Sequence, residues 1–317
     1  MLRRLEEGSV PDEELRRLIR VELGRRLQWC QQKPTYEEQT AEILNLVKSL
    51  QKMRITSESE SDCLNSQIYE TPVAFLETIF SKLLKESPCY FKDESMTLDE
   101  AEVAMLDLYC ERAQLKDGQK ILDLGCGQGA VTFHVAQKYK NTHVTAVTNS
   151  ASQKKYVEDR CRALKMSNVE VLLEDIGKLT MKEGTFDRIL VVGLFEHLKN
   201  LQLLLQRISQ WMTLDGLLFV DCVCHKNFAY ECGDNVSVVD HWVLSGKHFS
   251  RTGEEWLKKL DANLEKGKEI LESTYGSKEA ALKEINHWRG LCMFASEMSG
   301  YNEGEEWMNS HLLFKKK

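Results

Sequence analysis

The chain has 317 residues, 42% of them apolar, and a formal net charge of −7. That is enough apolar matter for one large core with a helical extension or for two modest domains, and too acidic a balance for a general nucleic-acid surface. No apolar run approaches the length of a membrane span, so no membrane partner is expected. The ten cysteines lack the spacing of a disulfide framework. Charges in Leu2-Arg3-Arg4-Leu5-Glu6-Glu7 interrupt what a secretory leader keeps apolar, which predicts reduced thiols and a cytoplasmic location.

Pro11-Asp12-Glu13-Glu14 reads as a helix start, with Leu15, Leu18, Ile19, Leu23 and Leu27 following at helical spacing. Acidic residues punctuate the arginines between them, so that face reads as solvated rather than as a nucleic-acid helix. Pro34 ends this helix and 36–50 reads as a second. Thr56-Ser57-Glu58-Ser59-Glu60-Ser61-Asp62 reads as a flexible acidic linker with little apolar area to order it. Ser87-Pro88-Cys89-Tyr90-Phe91 makes an aromatic turn ahead of a helix at 98–113; the two adjacent aromatics are either buried anchors or pocket walls.

Ile121-Leu122-Asp123-Leu124-Gly125-Cys126-Gly127-Gln128-Gly129 is an apolar strand with an acidic residue near its end, then glycine at every second position. Such glycines let the backbone turn sharply and approach a ligand closely. The spacing is neither the dinucleotide fingerprint nor a phosphate-cradling loop, so a ligand without a pyrophosphate is expected. Asp123 is placed to pair with a cationic amino group, and S-adenosylmethionine carries both an ammonium and a sulfonium. The loop resembles the first motif of class I methyltransferases at Asp123, Gly125, Gly127 and Gly129.

Helices and strands then alternate as a parallel sheet with crossovers requires: helix 131–139, strand 143–147, helix 153–164, strands 169–173 and 186–192, helix 201–212 and strand 217–220. Beyond them the pattern predicts a strand near 236–239, helices at 252–271 and 278–298, and a last strand at 306–314 able to return antiparallel. Ligands of such sheets bind beyond the carboxyl ends of the strands. Asn149 and Gln153 lie where a second strand offers partners to ribose hydroxyls, and Asp175 where a third meets an adenine amino group; an ordinary helix-cap role is open for each. Glu196 and His197, at another strand end, are either an acid–base pair or an incidental pair in a helix first turn. Cys222, Cys224, His225 and Cys232 match no standard zinc spacing, so buried thiols and no metal are expected.

The runs Tyr109-Cys110-Glu111-Arg112-Ala113, Val147-Thr148-Asn149-Ser150, Phe195-Glu196-His197 and Gly304-Glu305-Glu306-Trp307, with the glycine loop, resemble the plant coclaurine N-methyltransferase family. That group includes the pavine, reticuline and tetrahydroprotoberberine N-methyltransferases and is distantly similar to cyclopropane fatty-acid synthases. The resemblance implies an α/β fold of the class I, Rossmann-like kind with a mostly parallel sheet. It also implies an N-terminal helical cap over 1–95 and a methyltransferase core over 96–317, with substrate-side helices at about 250–300. It implies transfer of a methyl from S-adenosyl-L-methionine to the amine of a benzylisoquinoline-type alkaloid, with a homodimer as the candidate assembly. By motif, Glu196 and His197 match the catalytic pair, and Tyr90, Gly125, Gly127, Asn149, Gln153, Asp175 and Ile176 match cofactor contacts.

Three departures stand out. Gly193 occupies a position where the family often has a second glutamate. His287-Trp288-Arg289-Gly290-Leu291 replaces a more aromatic run on the helix lining the amine pocket, leaving Trp288 for cation–π contact beside His287 and Leu291. After Phe228-Ala229-Tyr230 the family carries several dozen acidic and aromatic residues, bridged here by Glu231-Cys232-Gly233. The alternative reading is therefore a shortened, cofactor-binding isoform with little turnover.

Overall fold

The computed structural model describes residues 4, 6–31, 35–56, 70–226 and 235–317. The break at Pro34, the acidic stretch 57–62 and the bridge at 231–233 lie outside the described residues.

The N-terminal third supplies α1 (Asp12–Gln31), α2 (Tyr36–Leu50), the single turn α3 (Val73–Leu76) and α4 (Leu98–Arg112). Thr97 caps α4 in a reciprocal box with Glu100, which satisfies two otherwise orphaned donors. Arg16 and Arg20 on α1 do not simply face water as expected. Arg16 meets Glu254 at 2.7 Å and Glu297 at 3.0 Å, and Arg20 meets Glu297 at 2.9 Å.

Strand–helix alternation then produces β1 (Lys120–Leu124), α5 (Ala130–Lys138), β2 (His143–Thr148), α6 (Ala151–Ala163), β3 (Val169–Leu173), β4 (Phe186–Val192), α7 (Leu201–Trp211) and β5 (Met212–His225). These five strands pair in parallel. The chain ends in β6 (Val236–Leu244), α8 (Lys247–Ala262), α9 (Leu264–Tyr275), α10 (Lys278–Gly300) and β7 (Trp307–Lys316). As the pattern allowed, β7 returns antiparallel, between β5 and β6, and completes a seven-stranded sheet ordered β3-β2-β1-β4-β5-β7-β6.

The strand period of two divides the core. Ile121 faces α4 and α5 with Met105, Tyr109 and Val131, while Leu122 faces α7 with Leu204 and Ile208. Strand order reverses between β1 and β4, which opens a crevice at their carboxyl ends.

Two expectations are corrected. Strand β5 is far longer than 217–220, because β7 pairs with it from Leu217 to His225 and the carboxylate inside that paired stretch, Asp221, is satisfied. Tyr109 Oη donates to Asp221 Oδ2, and Asn309 Nδ2 donates to Asp221 Oδ1 at 2.9 Å. The single helix expected at 252–271 is two, α8 and α9. Asn263 leaves helical geometry at φ −112°, ψ 19°, and its Nδ2 donates to the Lys259 carbonyl at 2.7 Å, so the side chain takes an acceptor at the end of α8.

Helices α8 and α10 share a core with the segment after α2: Phe75, Leu76, Ile79 and Phe80 pack with Trp256, Leu260, Ile285, Trp288 and Met293. Each fully buried side chain of this kind contributes roughly 1.5–3 kcal/mol relative to exposure. That packing sets an aromatic wall beside the crevice.

Candidate active site

A cavity of about 390 Å³ occupies the crevice, floored by the ends of β1, β2 and β4 and walled by α8 and α10. Of the residues expected there, Asp123, Gly125, Gly127, Asn149, Gln153, Asp175, Ile176, His197, Trp288 and Leu291 line it.

The glycines of the loop do different jobs. Gly127, at φ +54°, has nothing within 4 Å of where a Cβ would stand, so its missing side chain leaves cavity space. A Cβ on Gly129, at φ +83°, would meet the Phe133 ring at 2.9 Å and Val157 at 3.0 Å. Gly129 therefore serves helix packing, whereas Gly127 keeps the cavity open. The turn is held by Gly125 and Cys126, whose backbone N–H groups donate to the Val147 carbonyl at 3.0 and 2.9 Å. Asp123 is wholly buried and its Oδ2 accepts from Thr132 at 2.6 Å; burial pushes the carboxyl up to about 6 against the opposing pull of Thr132.

At the end of β2, Ser150 is the residue that caps α6, which releases Asn149 from the cap role. Gln153 is oriented by Thr148, whose hydroxyl donates to its Oε1 at 2.6 Å. At the end of β3, Asp175 Oδ1 accepts from the Gly177 N–H at 2.6 Å.

Glu196 and His197 occupy a separate helical turn, 195–197, ahead of α7, whose own cap is Asn200. They are not the first turn of that helix. His197 faces the cavity, and the protein mass around it lowers its pKa and favours the neutral imidazole. Glu196 does not line the cavity. Its Oε1 accepts from the Val223 N–H at 2.6 Å, and although solvent reaches the side chain, the surrounding walls push its carboxyl up to about 7.

Two further residues lie off the cavity. His287 is exposed because it is one position, about 100° of helix rotation, from Trp288, whereas Trp288 and Leu291 share a face at i, i+3. Tyr90 packs against the His248 ring at 4.9 Å. Cys222 is buried and Cys224 half-buried, and no metal-binding cluster occurs among the described residues. Cys232 lies outside them.

Sequence reasoning missed Thr56, Lys85, Glu86, Gln128 and Trp256, all of which line the cavity. Lys85 is buried, donates to Ser87 Oγ at 2.6 Å and to the Pro88 carbonyl at 2.5 Å, and burial lowers its pKa. Glu86 beside it is pushed up to about 7 by burial, with the Gln128 amide pulling the other way. That amide, buried in the loop, makes no hydrogen bond of good geometry at either end within the protein, which suits it to a polar ligand. Phe80 meets Trp256 at 4.9 Å and Trp288 at 5.6 Å, both edge-on, so the three rings form one rigid apolar wall. The available signal was position: Glu86 borders the aromatic turn and Gln128 sits inside the glycine loop.

A glycine turn open to a ligand, acidic or amide groups at the ends of β2 and β3, and the buried Gln128 amide fit a nucleoside bearing an amino acid. Comparison with known proteins gives the same answer. Residues 59–243 match the mycolic acid cyclopropane synthetase family. The chain is 55% identical over 349 residues to (S)-coclaurine N-methyltransferase of Thalictrum flavum subsp. glaucum, covering 100% of this chain and 95% of the relative. It is 48% identical over 347 residues to pavine N-methyltransferase of the same plant, covering 100% and 96%. The crystal structure of coclaurine N-methyltransferase bound to N-methylheliamine and S-adenosylhomocysteine superposes with a TM-score of 0.94 at 56% identity, covering 99% of this chain and 98% of that one. No described helix is long and apolar enough to cross a membrane. The chain belongs to the coclaurine N-methyltransferase family, within the mycolic acid cyclopropane synthetase fold group, and is an N-methyltransferase whose methyl donor is S-adenosyl-L-methionine.

Proposed function

We propose that the chain methylates the ring amine of a benzylisoquinoline-type alkaloid, with His197 as the group that takes the amine's proton. The observation that carries this reading is an imidazole, its pKa lowered, and an aromatic wall facing one cavity with the glycine loop. Bound S-adenosyl-L-methionine supplies an electrophilic methyl on a sulfonium. The protein's work is to align the acceptor nitrogen and to free its lone pair.

An alkylamine with a pKa near that of lysine costs about 4–5 kcal/mol to present neutral at pH 7. Phe80, Trp256 and Trp288 lower part of that cost by excluding water from the amine, and Trp288 offers a ring face to the cationic form. Trp288 is held by its own Nε1, which donates to Glu284 Oε1 at 2.9 Å. His197, uncharged, accepts the proton. Glu196 fixes the turn that presents it through the bond from Val223. Asn149 and Gln153 are assigned to the ribose, Asp175 and Ile176 to adenine, and the loop at Gly125 and Gly127 to the amino-acid end.

The test is a screen of labelled methyl donor against a panel of amines, beside calorimetric titration with S-adenosylhomocysteine. Methylated benzylisoquinolines are the expected products. Tight binding of S-adenosylhomocysteine with no turnover on any amine would instead support the non-catalytic isoform.

A further inference from the structure

By sequence Thr56 is the first residue of a linker, yet it lines the cavity. Its hydroxyl donates to Asp175 Oδ1 at 2.8 Å, the same oxygen that accepts the Gly177 N–H at 2.6 Å. The approach is close: a Cβ on Gly177 would stand 2.5 Å from Thr56 Oγ1 and 2.9 Å from Asp175 Oδ1, so this contact exists only because residue 177 has no side chain.

The rest of the arm, 51–56, is pinned to the segment that follows His197. Asn200 Nδ2 donates to the Gln51 carbonyl at 2.8 Å and to the Met53 carbonyl at 2.9 Å, and the Lys199 N–H donates to the Ile55 carbonyl at 3.1 Å. Ile55, 2% exposed, enters the core that holds Ile176 and Leu198. One short piece of chain thus bridges the end of β3 and the segment carrying His197.

A carboxylate on a short side chain turns about its last torsion within a broad well, and two donors on one oxygen remove that freedom. The acceptor Asp175 presents to the cavity then has a fixed direction. An amino group on a purine ring is a donor with fixed geometry of its own, so the fixed acceptor discriminates where a rotating one would not.

We propose that Thr56 is a positioning residue of the methyl-donor site: it holds Asp175 in the orientation that accepts a hydrogen bond from the adenine 6-amino group, and the 51–56 arm ties that recognition to the segment bearing His197. The proposal rests on the assignment of Asp175 to adenine made above.

The test compares S-adenosylhomocysteine with S-inosylhomocysteine, which carries a 6-oxo group in place of the amino group, by calorimetric titration of the full chain. The unmodified protein is expected to prefer the adenine compound by at least about tenfold, the scale of one lost buried hydrogen bond. Thr56→Val keeps the shape and removes the hydroxyl. It is expected to bind S-adenosylhomocysteine about tenfold more weakly while binding of the inosine analogue changes less than about twofold, and Thr56→Ser is expected to restore the preference. Equal loss for both ligands would make Thr56 a merely structural residue, and an unchanged preference would remove it from the site; either overturns the proposal. Absence of a preference in the unmodified protein would overturn the assignment of Asp175 itself, a distinct failure.

Asn200→Asp supplies the second variant. It keeps the oxygen that caps α7 by accepting from the Leu203 N–H at 3.0 Å, but sets a carboxylate against the Gln51 and Met53 carbonyls. A reduced adenine preference is expected, with the melting transition intact. A preference equal to that of the unmodified protein would show that the arm does not convey the coupling.

Discussion

The backbone N–H of Val223 donates to Glu196 Oε1 at 2.6 Å, which ties the turn 195–197 to β5 and leaves the next residue, His197, facing the cavity. On the proposed reading, Glu196 braces the turn and His197 takes the proton. Glutamine at 196 keeps an oxygen able to accept that bond, whereas alanine does not. Glu196→Gln is expected to retain kcat within about threefold, and Glu196→Ala to lose at least about tenfold, some 1.4 kcal/mol of barrier. Rates with purified variants decide this: if glutamine is as damaging as alanine, the carboxylate itself takes part in proton transfer.

His197→Ala is expected to slow methylation more at pH 7 than at pH 9. The protein mass around the half-open site lowers the imidazole pKa and favours its neutral, proton-accepting form, while at pH 9 solvent supplies more of the neutral amine unaided. An equal loss at both pH values would assign His197 to positioning the acceptor.

The two loop glycines separate ligand binding from stability. Gly127→Val places a branched side chain in open cavity and is expected to abolish S-adenosylhomocysteine binding in a folded protein, with about 1–2 kcal/mol of strain from its positive φ. Gly129→Ala drives a methyl into Phe133 and Val157 and is expected to lower the melting temperature first. Calorimetry and thermal melts on both variants would expose the opposite pattern if these roles are reversed.

The strand-to-loop run at 121–129 was legible because its chemistry is local: a strand, a turn that only glycine fits, and a helix. The parallel sheet followed from alternating periods, and the antiparallel return from the final apolar run. What stayed hidden depends on contacts far apart in sequence. Thr56 looks like linker until Asp175 and Gly177 meet it, 119 positions from the carboxylate it contacts. Lys85 and Glu86 look like surface charges until Phe80 anchors their segment on Trp256 and Trp288. Asp221 argues against a long β5 until Tyr109 and Asn309 satisfy it. The resemblance puts His287 in the run that lines the amine pocket, but one helical position turns it about 100° from Trp288 and leaves it exposed.

Glu86 links the cavity to stability. Its carboxyl is pushed up to about 7 by burial, against an ordinary value of 4.5. A raised carboxyl pKa means that between those values the folded chain holds a proton the unfolded chain has released, so stability falls as pH rises from about 4.5 to about 7. Glu86→Gln removes the titration and is expected to flatten that fall, leaving the variant on the order of 1–3 kcal/mol more stable than the unmodified chain at pH 8 and little different at pH 4.5. Urea unfolding at both pH values checks it. A variant less stable at pH 8 would show that the ionised Glu86 is held by a partner worth more than its burial costs.

The last prediction concerns the connection between β5 and β6. Alignment with the Thalictrum coclaurine N-methyltransferase spans 349 positions against the 317 residues of this chain, leaving 32 positions with no residue here. Resemblance to the family puts the shortfall after Tyr230. Strand β5 passes Glu196 at Val223 and ends at His225, so a longer connection leaving it would begin close to the turn 195–197. Cover at that point removes water, makes a protonated amine costlier to hold and brings its pKa toward neutrality. Without it, more of the roughly 4–5 kcal/mol of deprotonation falls on His197. We therefore expect near-normal S-adenosylhomocysteine affinity but turnover at least about tenfold below full-length relatives, some 1.4 kcal/mol of barrier. Grafting the relatives' acidic and aromatic segment between Tyr230 and Asp234 is expected to recover part of that loss, most of it at pH 7, where the amine is most fully protonated. If the unmodified chain already matches its relatives on their preferred amines, the segment contributes nothing to deprotonation and His197, with the aromatic wall, suffices.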